Sequence, residues 1–129
     1  MIKVENLGSL YDPVLGSNNI ALIDCKNWRN PKFYTHHEIE DKANACARGL
    51  LRRGFKRGHR VGILSKNCVE FVVSYLGILR AGLIAVPINH RFSEDIINFI
   101  IEDADIRLVL RGEGQTNNVE MGVPSYYFD

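Results

Sequence analysis

The sequence predicts an α/β fold: a partial, doubly wound parallel sheet flanked by helices, with a small antiparallel hairpin near the N-terminus. Short apolar runs alternate along the chain with segments of helical periodicity. The apolar runs are nearly continuous, as in strands that are covered on both faces. Because β and α elements alternate over short connections, we expect parallel strands joined by right-handed crossovers.

The N-terminal region divides into a connector and a hairpin. Residues 1–19 mix glycine and proline with polar side chains, which predicts a loop or one short helix. Ile20–Asp24 and Lys32–Thr35 are predicted strands, and the polar link Asn27–Pro31 between them has hairpin length. We therefore expect two parts, residues 1–19 and a single α/β subdomain over residues 20–129.

The first helix has clear start and stop signals. Thr35 and Glu38 form a capping-box pattern, in which each side chain satisfies a backbone N–H of the other. Gly54 is expected to end the helix, because glycine readily adopts the left-handed conformation of helix ends. Apolar residues recur between them at helical spacing: Ile39, Ala43, Cys46, Ala47, Leu50 and Leu51.

The strands predicted after this helix are short and apolar. Arg60–Leu64 and Arg107–Leu110 are predicted to be buried. Leu83–Val86 is a third such run, and Pro87 is expected to close it. Ser125–Phe128 predicts one more short strand near the end of the chain.

Two helices are predicted between these strands. Asn67–Glu70 has the pattern of a helix cap, followed by an apolar helix over Phe71–Arg80 that Gly82 ends. Ser93 is expected to cap the other helix, which covers Ile96–Asp103.

Composition and charge argue against a nucleic-acid partner. Sixteen Lys and Arg residues face 15 Asp and Glu residues, so the formal net charge is +1, far from the strong basic excess of most nucleic-acid-binding proteins. The basic run over residues 48–60 is local, and a solvated helix face explains it better than a polyanion site.

The sequence predicts a cytoplasmic protein without a transmembrane segment. Residues 1–10 lack the pattern of a signal peptide. The longest apolar stretch, residues 71–86, is too short and too interrupted by polar residues and glycine to cross a bilayer. Cys25, Cys46 and Cys68 are odd in number and widely spaced, which suggests free thiols in a reducing compartment.

Residue spacing predicts no catalytic residue and no metal ligand. His36 and His37 are adjacent, so their side chains point apart on a helix. The turn over residues 54–58 has glycines and cations, but it leads from a helix into a strand, the wrong polarity for a phosphate loop. Cys68 stands at a predicted helix start, where thiols can be activated, yet no His or second Cys lies beside it in sequence, and a structural role is favoured.

Five segments carry a family resemblance in a fixed order. They are Phe33–Ile39, Ala43–Leu50, Gly54–Leu64, Lys66–Phe71 and Leu79–Asn89. Their order and spacing resemble the adenylate-forming, AMP-binding superfamily, which includes acyl-CoA synthetases, luciferase-like enzymes and adenylation domains. His59 departs from the aspartate that is usual at its position, which alters a turn rather than the chemistry.

The resemblance implies a fatty-acid or aromatic-acid CoA ligase that uses ATP, Mg²⁺ and CoA. Such enzymes convert a carboxylate into an acyl-adenylate with release of pyrophosphate, then transfer the acyl group to CoA. The family's phosphate loop, its Glu/Asp set and its catalytic lysine match nothing in these 129 residues. We therefore expect this chain to be an N-terminal portion that stops before the phosphate loop. Such a portion is expected to be inactive alone and to bind no cofactor tightly. The carboxylic acid is expected to bind to the parts of the enzyme that are missing here.

One loop is implied to approach a cofactor. In acetyl-CoA-synthetase-like members, the loop after the Val-Pro strand lies near the CoA nucleotide, and its counterpart here is Asn89, His90 and Arg91. Arg91 can pair with phosphate or stack on adenine. A charged surface loop before a helix remains the alternative for these three residues.

Other functions stay open at this point. The chain resembles peptide-synthetase adenylation domains nearly as well. A non-catalytic binding module is another alternative, possible as a homodimer through surfaces that truncation leaves uncovered. A free-standing mononucleotide-binding domain is disfavoured, because the glycine-rich first β–α turn is missing.

Overall fold

The computed structural model describes residues 7–8, 17–112 and 119–128. The elements in chain order are β1 (Ile20–Asp24), β2 (Lys32–Thr35), α1 (His36–Arg52), β3 (Arg60–Leu64), α2 (Val69–Arg80), β4 (Ile84–Ile88), α3 (Glu94–Asp103), β5 (Ile106–Arg111) and β6 (Ser125–Tyr127). Most of the predicted connector over residues 1–19 lies outside the described residues.

The sheet has the predicted parallel arrangement. Its four described strands follow the order β4-β3-β5-β6, and every neighbouring pair is parallel. The strands β1 and β2 form a separate antiparallel pair, with Ile23 opposite Phe33 and Asp24 opposite Lys32. Both the α/β class and the small N-terminal hairpin are therefore confirmed.

The capping box of α1 is present as predicted. The Glu38 N–H donates to Thr35 Oγ1 at 3.2 Å, and the Thr35 N–H donates to Glu38 Oε2 at 2.8 Å. These hydrogen bonds from Thr35 stabilise the carboxylate and lower the pKa of Glu38 from its ordinary value of 4.5. At the other end, Gly54 follows the helix with a φ of +85°, as its stop role requires.

One face of the sheet is covered by α1 and α2. Its core consists of buried aliphatic side chains: Leu50, Val61, Ile63, Ile78, Leu83 and Leu108. The two helices approach closely at Gly77, where an added Cβ would lie 2.6 Å from Cys46 Cβ. Burial between the helices raises the pKa of the Cys46 thiol, so this cysteine acts as a small apolar side chain.

The other face is covered by α3. A second core lies there, formed by Leu64, Ile88, Ile97, Ile101, Ile106 and Val109. Val119, Met121 and Val123 pack against the same core from the segment that leads into β6. The central strands β3 and β5 are thus buried, as their continuous apolar runs predict. The prediction of burial is wrong for β4, which is mostly exposed or half-buried because it is an outer strand of the sheet.

Two local expectations are wrong, and one about a helix cap is confirmed in position only. Cys68, not Asn67, is the N-cap of α2, and its side chain makes no capping hydrogen bond, because a thiol is a weak acceptor. Ser93 is the N-cap of α3, as predicted, although its side chain makes no capping hydrogen bond. Finally, Pro87 lies inside β4 rather than closing it. A proline is tolerated there because β4 is an outer strand and pairs with β3 alone among the described strands.

Candidate functional site

The candidate site lies at the carboxyl edge of the parallel sheet. The strands β3, β4, β5 and β6 end there, and the residues that follow them are Ser65, Asn89, Gly112 and Phe128. Open α/β sheets bind ligands at this edge, because loops and helix N-termini converge on it without closing it. Two adjoining cavities of the described residues open at this edge.

The larger cavity has a volume of about 760 Å³. The end of β1 forms one wall, and the loop from β3 into α2 forms another. Apolar side chains line much of it, including Leu22, Val69 and Val72, while Lys26 and Lys66 add positive charge. An apolar wall with a few polar groups is typical of a small-molecule site.

Ser65 lies where β3 and β5 separate, and it lines both cavities. Its side chain is buried, and Ser65 Oγ donates to the Lys66 carbonyl at 2.9 Å. Gly112 packs so closely against it that an added Cβ would overlap Ser65 Oγ. The Gly112 N–H donates to the Leu64 carbonyl at 3.0 Å, which holds the two strand ends together.

The smaller cavity, about 550 Å³, contains the predicted cofactor residues. Asn89, His90 and Arg91 line it together with Ser65 and Phe71. The structure thus brings the predicted trio into a concave surface beside the larger cavity.

The loop that carries this trio is shaped by its own hydrogen bonds. Asn89 Oδ1 accepts from the Arg91 N–H at 2.9 Å, and the Asn89 carbonyl accepts from the Phe92 N–H at 3.1 Å. The Arg91 residue is exposed, whereas His90 is half-buried and its shielded Nδ1 has no hydrogen-bond partner. A guanidinium, an amide and an imidazole nitrogen in need of a partner fit an anionic or nucleotide group.

Sequence reasoning missed that two cysteines share the larger cavity. Cys25 follows β1 and Cys68 precedes α2, 43 positions apart, yet both residues line the larger cavity, one on each of these two walls. The Cys68 sulfur lies 3.5 Å from Ser65 Oγ. The sequence does show that one cysteine follows a predicted strand and the other precedes a predicted helix. Only the fold shows that the two residues line the same cavity.

The remaining flagged residues lie elsewhere. His59 is at the opposite, amino edge of the sheet, where Nδ1 accepts from the Lys56 N–H at 3.1 Å and Nε2 lies 3.2 Å from Arg107 Nη1. His37 pairs with Asp41 on the exposed surface of α1. Within the described part of the chain, no three His, Cys, Asp or Glu residues are grouped to hold a metal ion. Nor does any helix there have the length and apolarity needed to cross a membrane.

The parallel sheet and its carboxyl-edge cavities define the class of open α/β folds that bind small molecules at this edge. The AMP-binding enzyme family matches residues 16–125, and the chain belongs to this family of adenylate-forming enzymes. The resemblance of the five ordered segments is thereby confirmed.

Relatives include two kinds of adenylate-forming protein. Surfactin synthase subunit 2 of Bacillus subtilis is 36% identical over 85 residues, covering 66% of this chain and 2% of that protein. The medium/long-chain-fatty-acid–CoA/3-oxocholest-4-en-26-oate–CoA ligase of Mycolicibacterium smegmatis is 31% identical over 90 residues, covering 70% of this chain and 16% of that protein. The chain therefore spans only a small part of either relative.

Solved structures agree with the fold. A Mycobacterium tuberculosis fatty acyl-CoA synthetase superposes with a TM-score of 0.60 at 34% identity, covering 63% of this chain and 16% of that one. The structure of IdnL1 superposes with a TM-score of 0.85 and covers 99% of this chain and 27% of that one. At 20% identity, the second comparison supports the fold alone.

Proposed function

We propose that this chain is the N-terminal part of an ATP-dependent acid–thiol ligase of the acyl-CoA synthetase type. The reaction joins a carboxylate to the CoA thiol and converts ATP to AMP and pyrophosphate. One observation carries the proposal: a parallel sheet of an AMP-binding family member holds two adjoining cavities at its carboxyl edge. The 31% identical fatty-acid–CoA ligase favours a carboxylic acid with a long apolar tail as the substrate class.

The role proposed for this chain within the ligase is to hold CoA and to support the fold. When bound, ATP and Mg²⁺ supply the activated phosphate chemistry, and CoA supplies the thiol. We propose that the acid, ATP and Mg²⁺ bind mainly to other parts of the enzyme, because these 129 residues contain no phosphate loop. The isolated chain is accordingly expected to be inactive and to bind no cofactor tightly.

The trio at the smaller cavity is the proposed contact for the CoA nucleotide. The guanidinium of Arg91 is exposed and suited to a phosphate or an adenine face. The Asn89 turn holds the loop in shape, so Arg91 is positioned before the ligand arrives. His90 offers its unpartnered Nδ1 as a further polar contact.

A graft tests this proposal in an active enzyme. The matched segment of the Mycobacterium tuberculosis fatty acyl-CoA synthetase is replaced by this chain, and both half-reactions are measured. We expect ATP–pyrophosphate exchange and acyl-CoA formation to survive. Arg91→Ala should then raise the KM for CoA by roughly ten-fold, as loss of one charge-assisted contact does, and leave the exchange rate unchanged.

Arg48→Ala, on the exposed surface of α1, is the matched control. This variant also removes one arginine, but at a position away from the cavities, and it should leave both half-reactions unchanged. If Arg91→Ala behaves like this control, the trio does not contact CoA. A graft that folds but supports neither half-reaction would contradict the ligase assignment itself.

An adenylation domain of a peptide synthetase is the second candidate. The 36% identity with surfactin synthase subunit 2 favours it specifically. The same graft discriminates the two, because a chain of this second kind has no CoA nucleotide to contact. Full exchange activity combined with an Arg91→Ala variant of unchanged KM for CoA would favour the adenylation domain.

A non-catalytic module that pairs with a second copy is the remaining alternative. Large apolar side chains are exposed on the outer strand β4, on the loop that follows it and on α3. They are Ile84 in β4, Phe92 in the loop, and Ile96 and Phe99 in α3. Exposed apolar patches of this kind often bind other proteins. Sedimentation velocity decides the matter: a concentration-dependent dimer supports self-association, and a monomer throughout rules it out.

The proposed compartment is the cytoplasm. All three cysteines are free: Cys25 is exposed, and Cys46 and Cys68 are half-buried. Thiols in these states persist where the environment is reducing. Fractionation of cells that express the chain, followed by immunodetection, tests this proposal, and recovery from an oxidising compartment would contradict it.

A further inference from the structure

The hairpin formed by β1 and β2 ends in an unusually exposed indole. We call residues 23–33 the hairpin tip. Trp28 lies in its turn and is 75% exposed, more than any other large apolar residue that the structure describes. It is also the single tryptophan of the chain. An indole has a large apolar body and one polar N–H, so exposing it to water is unfavourable unless a partner covers it.

Two further apolar side chains lie side by side on the outer face of the hairpin. Ile23 and Phe33 are directly paired across the strands, and they are 51% and 56% exposed. The next pair along the ladder, Leu22 with Tyr34, is half-buried and lies on the opposite face, because side chains alternate along a strand. The hairpin therefore has one face that packs inward and one that presents apolar surface to solvent.

Positive charge surrounds this apolar surface. The hairpin tip contains Lys26, Arg29 and Lys32, and its single acid is Asp24. Asp24 Oδ1 is engaged within the turn, where it accepts from the Lys26 N–H at 2.9 Å. The guanidinium carbon of Arg29 lies 5.2 Å from the centre of the Trp28 ring. The net charge of the whole chain is only +1, so the positive charge of the hairpin tip is a local concentration beside its apolar side chains.

We propose that the hairpin tip docks onto an anionic lipid surface. Trp28 lies at the level of the headgroups, where indoles are favoured, and Ile23 and Phe33 enter the outer acyl region. The cations Arg29 and Lys32 contact lipid phosphates, as basic groups do beside anionic membranes. This inference does not rest on the proposed ligase activity.

The shape of the tip favours a lipid surface over an acidic protein. Trp28, Arg29 and Phe33 line neither of the two cavities at the carboxyl edge, and Ile23 is the one exposed apolar group of the tip that also lines the larger cavity. A projecting tip needs a concave partner of matching shape, whereas a bilayer deforms around it. Binding to an acidic polypeptide is therefore the outcome that the experiment must separate from binding to lipid.

The single tryptophan makes the test direct. Trp28 fluorescence of the full 129-residue chain is recorded while vesicles are added, either pure phosphatidylcholine or equal parts phosphatidylcholine and phosphatidylglycerol. We expect a blue shift with the anionic vesicles, quenching when their acyl chains are brominated, and weaker binding at high salt. No shift with anionic vesicles, or an equal or larger shift with soluble polyglutamate, would overturn the proposal.

Matched charge reversals locate the contact. Arg29→Glu combined with Lys32→Glu keeps the fluorophore and should weaken partition to anionic vesicles by about ten-fold or more. The control is Arg48→Glu combined with Lys56→Glu, which changes the net charge equally at exposed residues outside the hairpin. If both double variants lose the same affinity, the net charge rather than the hairpin tip causes binding, and the proposal is wrong.

A deletion of the indole completes the test. Trp28→Ala is followed by vesicle flotation instead of fluorescence, and circular dichroism checks that it remains folded. We expect most of the bound fraction to be lost, because the indole is the largest apolar group of the hairpin tip. Undiminished flotation of a folded Trp28→Ala chain would show that the tip does not insert.

Discussion

The two ends of the parallel sheet differ in how closely their turns are joined and in the size of the cavities beside them. At the amino edge, tight turns are joined to one another: the Gly58 N–H donates to the Gly82 carbonyl at 3.2 Å, and the Ile84 N–H donates to the His59 carbonyl at 2.9 Å. Arg60 and Arg107 both pair with Asp105 there. The carboxyl edge instead opens into two cavities of about 760 and 550 Å³, whereas a cavity beside Asp105 and Ile106 at the amino edge is smaller, about 250 Å³.

The difference follows from how the chain enters and leaves the strands. Turns that lead into β3 and β4 use glycines with positive φ, Gly58 and Gly82, which allow sharp reversals close to the sheet. The loop that leaves β4 instead exposes polar side chains such as Asn89 and Arg91. The turns at the amino edge are therefore joined closely, and the larger cavities lie at the carboxyl edge.

The largest effect is expected at the end of α2, which leads into the amino edge. Arg80 pairs with Glu40 at 2.8 Å, with side chains only 11% and 27% exposed, and its guanidinium also donates to Asn44 and to the Gly8 carbonyl. Arg80→Met leaves the Glu40 carboxylate without its cationic partner in a poorly hydrated site, and it should lower the free energy of unfolding by about 3 kcal/mol. Urea denaturation measures this change.

Arg107→Met is the matched control for this variant. The Arg107–Asp105 pair is 3.7 Å long and exposed at 51% and 63%, so its loss should cost less than about 1 kcal/mol. Equal losses for the two arginine variants would contradict the description of the Arg80 site as buried.

Close packing at the carboxyl edge gives the next effect. Gly112→Ala places a methyl group against Ser65 Oγ and should destabilise the fold by about 1–3 kcal/mol through overpacking. The same substitution at Gly122, where nothing lies within 4 Å of an added Cβ, should change stability little. Thermal unfolding of both variants tests this, and an unaffected Gly112→Ala would show that the strand ends relax freely.

Backbone conformation at the amino edge gives a smaller effect. Gly82 has a φ of +76°, so Gly82→Ala should cost about 1 kcal/mol from the left-handed conformation. Gly49 lies inside α1, where Gly49→Ala should instead stabilise by roughly 0.5–1 kcal/mol, because alanine is the better helix former. Chemical denaturation that shows the same sign for both variants would refute this account of the turn.

A pH-dependent effect is expected away from both edges, at the start of α1. The lowered pKa of Glu38 means that its carboxylate stabilises the fold at pH values above 4.5, and that this contribution is lost as the pH falls through the lower folded pKa. Glu38→Gln should therefore be less stable than the parent at neutral pH and approach it in acid. Unfolding midpoints across a pH series test this, and a constant gap would contradict it.

Much of the fold was predictable because its signals are local. The strand over Arg60–Leu64 matches its prediction at both ends, since an apolar run bounded by turns carries both ends in sequence. The cap of α1 was also predictable, because the Thr35 and Glu38 side chains act within three residues. In contrast, Pro87 inside β4 depends on strand order, which no local pattern reveals.

The candidate site was predictable only in part. The trio Asn89, His90 and Arg91 was implied by the family resemblance, as the counterpart of the loop that follows the Val-Pro strand. The larger cavity was not, since it forms where the ends of β1, β3, β5 and β6 meet across long stretches of sequence. The Arg80 contacts with Glu40 and Gly8 span 40 and 72 positions and were likewise beyond sequence reasoning.

An NMR titration of the isotopically labelled chain with CoA tests the central claim most directly. The account predicts weak, saturable shift changes in the amides of Asn89, His90, Arg91 and Ser65, at the carboxyl edge. Shift changes centred on His59 and Arg107 at the amino edge, or none at any CoA concentration, would contradict it.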